Sequence, residues 1–298
     1  MTTSERAARH APGGAAGALR QLGRGAYRRL NAATASRRLT PGFVMIGAQR
    51  CGTTSMFLAL ASHPQVIRPK YRKGINYFDL NYTRGENWYR GHFPTAAAAR
   101  RAAAGYGEPV AFEASGYYLY HPFAIERLAR DLPAAKLIVM LRDPVERAFS
   151  GYKHECAGGF EQETSFERAL ELEDSRLAGE IDRMRRDPGY ESYSHRHHSY
   201  RHRGQYAEQL ERVFGLFPRE QVHILQSEAY YADPPREYRR VVEFLGLHPF
   251  EPDRFSQPKA HPSEPMAPAT RDMLARHYAP HNERLAGLLG QPPRWAQA

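Results

Sequence analysis

The chain has 298 residues, 42% of them hydrophobic, and only two cysteines, which excludes wholesale disorder and a disulfide framework and allows one large core or two small ones. Its formal charge of +10 is uneven: eight arginines against Glu5 give residues 1–40 a net of +7 and leave +3 for the rest. The basic excess therefore belongs to a tail, and no nucleic-acid-binding domain is implied.

That tail, residues 1–40, is expected to be mobile and solvated. The alternative is a basic, weakly amphipathic helix over 17–38 that touches anionic lipid. No run approaches the ~18–20 apolar residues that cross a bilayer, and no apolar leader is visible, so a cytoplasmic protein is expected.

Phe43–Ile46 reads as a short buried strand. A loop from Gly47 to Gly52 follows, and Thr53, Thr54 and Ser55 open an apolar helix. Strand, glycine-bounded loop and helix N-terminus together form a site for a phosphate-like anion, because backbone N–H groups and the helix dipole face it. The glycines have the P-loop spacing, GxxxxG, but Thr53 stands where a nucleotide kinase has lysine, and the cation lies inside the loop as Arg50. An ordinary strand-to-helix turn needs neither that arginine nor three hydroxyl residues. Cys51, at the helix start, is expected to have a lowered thiol pKa and to serve as a small loop residue rather than a nucleophile.

Beyond a basic loop comes KGINYFD, 73–79. Tyr77, Phe78, Trp88, Tyr89 and Phe93 form an aromatic group that is either core or acceptor wall. Val110–Phe112 is a second strand ending on Glu113, and a helix follows over 122–131. KLIVML, 136–141, is a continuous apolar run and implies a strand buried on both faces. Asp143 then fits an N-cap, Pro144 the first helical position and Glu146 the third residue of a capping box, with Ser150 within two turns.

HRHHSYRHR, 195–203, lacks the histidine spacing of a helical metal face or a zinc finger. It is read as a solvated basic loop, with lining of an anion site second and metal third. A helix over 206–214, a strand over 222–225, a helix stopped by Gly246, a proline-rich loop and two final helices complete the chain. Alternating strands and helices predict α/β architecture: one P-loop-like domain, residues 41–298, with a central parallel sheet and helices on both faces. Its site is expected at the carboxyl ends of the strands, where Arg50, Glu113 and Arg142 fall.

Two of these stretches resemble a known family, the sulfotransferases that use 3′-phosphoadenosine 5′-phosphosulfate (PAPS). GAQRCGTTS, 47–55, resembles the loop that holds the 5′-phosphosulfate. LRDPVERAFSGY, 141–152, resembles the element whose arginine and serine bind the 3′-phosphate. RGQYAEQLERVFGLFP, 203–218, then FLGL and the His261–Pro262 pair are also similar, and the resemblance spans roughly residues 41–290, nearest to bacterial members and the heparan sulfate sulfotransferase branch.

The resemblance implies sulfuryl transfer from PAPS, without a metal, to a hydroxyl or amine of a carbohydrate, glycolipid or small molecule. Arg50, Cys51, Gly52, Thr53, Thr54 and Ser55 would hold the phosphosulfate, Arg142 and Ser150 the 3′-phosphate, and Lys259 would join the PAPS-binding set. Arg50 would also be catalytic, by neutralising charge on the leaving oxygen. The base does not carry over, because the glutamate of that branch's KExxxFFD-like segment is Gly74 here and the lysine after its second-strand glutamate is Ala114. Glu113 is the first candidate for base or acceptor-orienting residue, Asp79 the second and His121 the third. A P-loop kinase or NTPase, with Asp143 on Mg²⁺, and a non-catalytic PAPS- or nucleotide-binding protein are the alternatives. The oligomeric state is left open.

Overall fold

A computed structural model describes residues 31–70, 73–256 and 265–296. Five strands form one parallel sheet: β1 (Pro41–Gly47), β2 (Val66–Ile67), β3 (Val110–Ala114), β4 (Lys136–Leu141) and β5 (Val222–Gln226), in the order β2-β3-β1-β4-β5. Phe43–Ile46 and Leu137–Leu141 are buried without alternation, as strands covered on both faces must be. Val44 lies opposite Glu113 on one side and Leu137 on the other, and Phe43 stacks on Phe112 with ring centroids 4.8 Å apart.

The chain leaves β1 toward β3 and later crosses to β4, so the strand order switches direction at β1. A parallel sheet opens a crevice at such a point, beyond the strands' carboxyl ends. Helix α1 (Thr53–Ala61) follows β1, α2 (Ala124–Asp131) precedes β4, and α3 (Pro144–Ala157) follows it. Helices α4 (Tyr206–Phe214) and α5 (Pro234–Leu245) flank β5 in sequence. Where two final helices were expected there is one, α6 (Pro268–Leu289), which continues through Pro280 and packs along α4.

The start of α3 differs from the expected capping box. Asp143 caps it, its Oδ1 accepting from Val145 N at 2.9 Å, and Pro144 sits at the first position. The returning bond to Asp143 N comes from Glu228, 2.9 Å away, while Glu146 faces Arg142 and Arg271 instead. The domain also begins earlier than residue 41. Asn31 and Ala35 are buried, and Arg38 donates to Asn31 Oδ1 and the Phe93 carbonyl while bridging to Thr95. The rest of the expected tail lies outside the described residues. No helix among those described is long and apolar enough to cross a membrane.

Tyr77, Phe78, Tyr89 and Phe93 are buried and pack together, Tyr77 stacked on Tyr89 at 4.5 Å and the other pairs edge to face. Four of the five members of the aromatic group, all but Trp88, are core. They hold residues 73–82 against the end of β3, and thereby set one wall of the crevice.

Candidate active site at the switch point of the sheet

Gly52 caps α1 with φ +80°, a left-handed conformation that glycine adopts without strain, and a Cβ there would stand 2.8 Å from Tyr231 Oη. Ser55 N bonds the Gly52 carbonyl at 3.0 Å, and the amides of Thr53 and Thr54, at the first two helical positions, are left for an anion. Arg50 is also left-handed, at φ +71°. Its Nε donates to Ser150 Oγ on α3 at 3.0 Å, which joins two residues 100 positions apart.

Cys51 departs from expectation. Its thiol is buried, 3.6 Å from Tyr206 Oη, and burial pushes its pKa up to about 11 despite that contact. Desolvation thus outweighs the helix N-terminus, and the side chain packs in the core. Its amide closes the loop on the Ala48 carbonyl.

Lys73 brings a cation to the loop that the sequence does not place there. Its Nζ donates to Thr53 Oγ1 at 3.0 Å and Thr54 Oγ1 at 3.1 Å, so an ammonium stands beside the residue that replaces the P-loop lysine. Burial alone pushes it down to about 8. A buried cation at the positive end of a helix is unfavourable until an anion joins it. Arg50, exposed overall, is likewise pushed down, first by partial desolvation of its guanidinium and then by Arg142. The charges therefore converge on one crevice and repel one another there.

Arg142 leaves β4 half-buried, with Nη2 3.7 Å from Glu146 Oε2, and together with Ser150 it lies on the α3 side of the crevice. Lys259 and the His261–Pro262 pair lie outside the described residues. Ser55 Oγ is 3.2 Å from Tyr231 Oη.

The acid candidates do not converge on the loop. Glu113 is fully buried, and four donors fill its carboxylate: Ile75 N and Ser115 Oγ on Oε2, Tyr89 and Tyr118 hydroxyls on Oε1. Burial pushes it up to about 7. It faces the aromatic core, where it fastens residues 73–78 to β3, and it has no edge toward the crevice. Asp79 accepts from Asn76 Nδ2 and Leu80 N, is pushed by burial to about 6, and lines a separate pocket of about 80 Å³ with His121, Tyr82 and Arg127. Burial pushes His121 down to about 3.

A larger cleft, about 230 Å³, adjoins the loop instead and is lined by Gln49, Asn76, Tyr117, Glu155, His197 and Arg203 among others. Gln49 Nε2 donates to Glu155 Oε1 at 3.2 Å, and Glu155 Oε2 meets His197 Nδ1 at 2.7 Å. Burial would raise the Glu155 pKa, but His197 and Arg203 outweigh it and hold the carboxyl below its usual range. Arg203, buried over the Tyr117 and Tyr120 rings, donates to Gln49 Oε1. The histidine stretch is thus no solvated loop. His195 bonds Tyr117 Oη, His198 the Phe160 carbonyl and His202 Asp174, each with a partner of its own. Gln49, Lys73, His197 and Arg203 stood in stretches already singled out, but nothing local marked these particular side chains, and Glu155 lay outside every such stretch.

A parallel sheet with a cationic anion loop at its switch point defines a group-transfer protein built around an oxyanion donor. Residues 41–252 match the model of the Sulfotransferase family, and the chain belongs to that family. It is 31% identical to a sulfotransferase from Alicyclobacillus acidocaldarius of known structure, with a TM-score of 0.64 over 87% of this chain and 100% of that one. Bifunctional heparan sulfate N-deacetylase/N-sulfotransferase 4 of Mus musculus is 28% identical over 86% of this chain, which spans 31% of that protein's length. The membrane-associated sulfotransferase kil1 of Dictyostelium discoideum is 25% identical over 86% of this chain and 66% of its own.

Proposed function

We propose that the enzyme moves the sulfuryl group of PAPS to a hydroxyl or amine of a carbohydrate or small-molecule acceptor by in-line displacement. The observation that carries this is the pair of cations at a glycine-bounded loop, Arg50 within it and Lys73 reaching the helix start that follows it, with Arg142 and Ser150 as a second anion site across the crevice. PAPS has anionic groups at both ends of its nucleotide. The loop amides, Arg50 and Lys73 take the phosphosulfate, and Arg50 meets charge developing on the bridging oxygen. Arg142 and Ser150 take the 3′-phosphate. A carbohydrate acceptor is supported by the N-sulfotransferase names among the relatives. Two unpaired cysteines, one deeply buried, support a reducing compartment.

A P-loop NTPase is less well supported, since Lys73 occupies the threonine hydroxyls that would otherwise face Mg²⁺. The test is calorimetry with adenosine 3′,5′-bisphosphate. Tight binding without Mg²⁺ and little affinity for ATP is expected, whereas metal-dependent ATP binding would point to the NTPase. Arg142→Ala should weaken the bisphosphate by roughly 1.5–3 kcal/mol and adenosine 5′-phosphate hardly at all, because only the first has a 3′-phosphate. Equal losses would remove Arg142 from that role.

Lys73 gives a second signature. With its ammonium near 8 in the free enzyme, a bound anion raises it, so binding at pH 8 should take up about half a proton. Titrations in two buffers of different ionisation enthalpy measure this, and Lys73→Met should abolish it. No uptake in the unmodified enzyme would place Lys73 away from the anion.

A further inference from the structure

The donor half of the site is complete, yet no group considered so far can take the acceptor's proton. Gly74, at the family's glutamate position, packs so closely that a Cβ would meet the Ala114 carbonyl at 2.7 Å and Ser115 Oγ at 2.8 Å. Glu113 is sealed by its four donors, while Asp79 and His121 line the other pocket.

Glu155 and His197 stand in the cleft that opens on the loop. Arg50 and Gln49, adjacent in sequence, both bond to α3, at Ser150 and at Glu155. The rise of a helix puts those anchors about 7.5 Å apart along its axis, close enough for a donor group and an acceptor hydroxyl to sit side by side. Glu155 holds His197 by Nδ1, and the Phe160 ring, stacked at 4.2 Å and 17°, fixes the imidazole plane. Nε2 has no partner among the described residues, on a ring that lines the cleft. A carboxylate on one imidazole nitrogen and an open second nitrogen is the arrangement that makes a positioned general base.

We propose, resting on the PAPS assignment above, that His197 is the general base of this enzyme and Glu155 its positioning residue. His197 Nε2 takes the proton of the acceptor hydroxyl while that oxygen forms its bond to sulfur. The bond from sulfur to the bridging oxygen of the phosphosulfate breaks, and adenosine 3′,5′-bisphosphate leaves with the electron pair. The products are the sulfate ester, the bisphosphate and a protonated His197, which returns its proton to solvent.

The test uses the full chain and release of labelled inorganic sulfate from ³⁵S-PAPS, with water in place of the acceptor hydroxyl. His197→Gln is expected to slow release about 100-fold or more while bisphosphate affinity stays within about threefold. Glu155→Gln should lower kcat about tenfold or more at unchanged KM for PAPS, as loss of orientation rather than of binding. Added imidazole should restore part of the rate to His197→Ala, which a purely structural histidine would not allow. Release within about threefold of the unmodified rate in both His197 variants, with the bisphosphate still bound, overturns the base and leaves the PAPS site standing. A loss that imidazole fails to restore makes His197 structural and overturns it equally. Failure of the unmodified enzyme to bind the bisphosphate overturns the PAPS site itself.

Discussion

Arg50→Ala should lower turnover by about 10²–10³-fold, the cost typical of removing one charge-stabilising donor from a transition state. The fold should survive, since Arg50 is exposed and its structural contact is one bond to Ser150. Arg50→Lys separates charge from shape: it keeps the cation but loses the planar fork that can reach Ser150 and the anion together. Activity between that of alanine and arginine is expected. Single-turnover sulfate release, with thermal melting as the folding control, measures both. Near-normal turnover in Arg50→Ala would leave charge neutralisation to Lys73 and the loop amides.

Glu113→Ala should act on stability rather than on chemistry. It strands the Ile75 amide and three hydroxyls in a dry interior, at a cost of about 3 kcal/mol or more. Denaturant unfolding measures the loss, and a small effect would mean that water replaces the carboxylate. The charge itself works in the opposite direction. Burial raises the group from 4.5 to about 7, so folding favours its protonated form. Its contribution is full below about 4.5 and is lost as pH rises to about 7. Glu113→Gln is uncharged throughout, so the unmodified protein should lose stability relative to it across that window. A pH-independent difference would show a carboxylate kept ionised by its donors.

The glycine-bounded strand-to-helix loop and the sheet were legible because their signals are local. A glycine pair at P-loop spacing and an uninterrupted apolar run can be read without knowing what packs against them. Arg50 and Ser150 were each found that way, and the fold brings them within 3.0 Å. The remaining groups depend on distant pairings. Lys73 matters because it reaches Thr53, and Glu155 because it meets His197, 42 positions away; neither residue repeats a period or spacing. Glu113 was misplaced for a related reason. Adjacent residues of a strand face opposite sides, and register alone does not say which side meets the aromatic core or whether tyrosine hydroxyls wait there. The lowered thiol expected of Cys51 failed because a helix terminus acts weakly against full burial.

In the proposed mechanism, helix α3 has the part of a fixed ruler between nucleotide and acceptor. One rigid rod starts beside Arg142, touches Arg50 through Ser150, and ends near Glu155, which holds His197. The spacing between nucleotide and acceptor is therefore written as a count of residues. One residue inserted between Ser150 and Glu155 would turn the carboxylate about 100° around the axis and point it away from the cleft. A residue added to a loop at the rim would leave these anchors where they are, whereas one added within this interval would not.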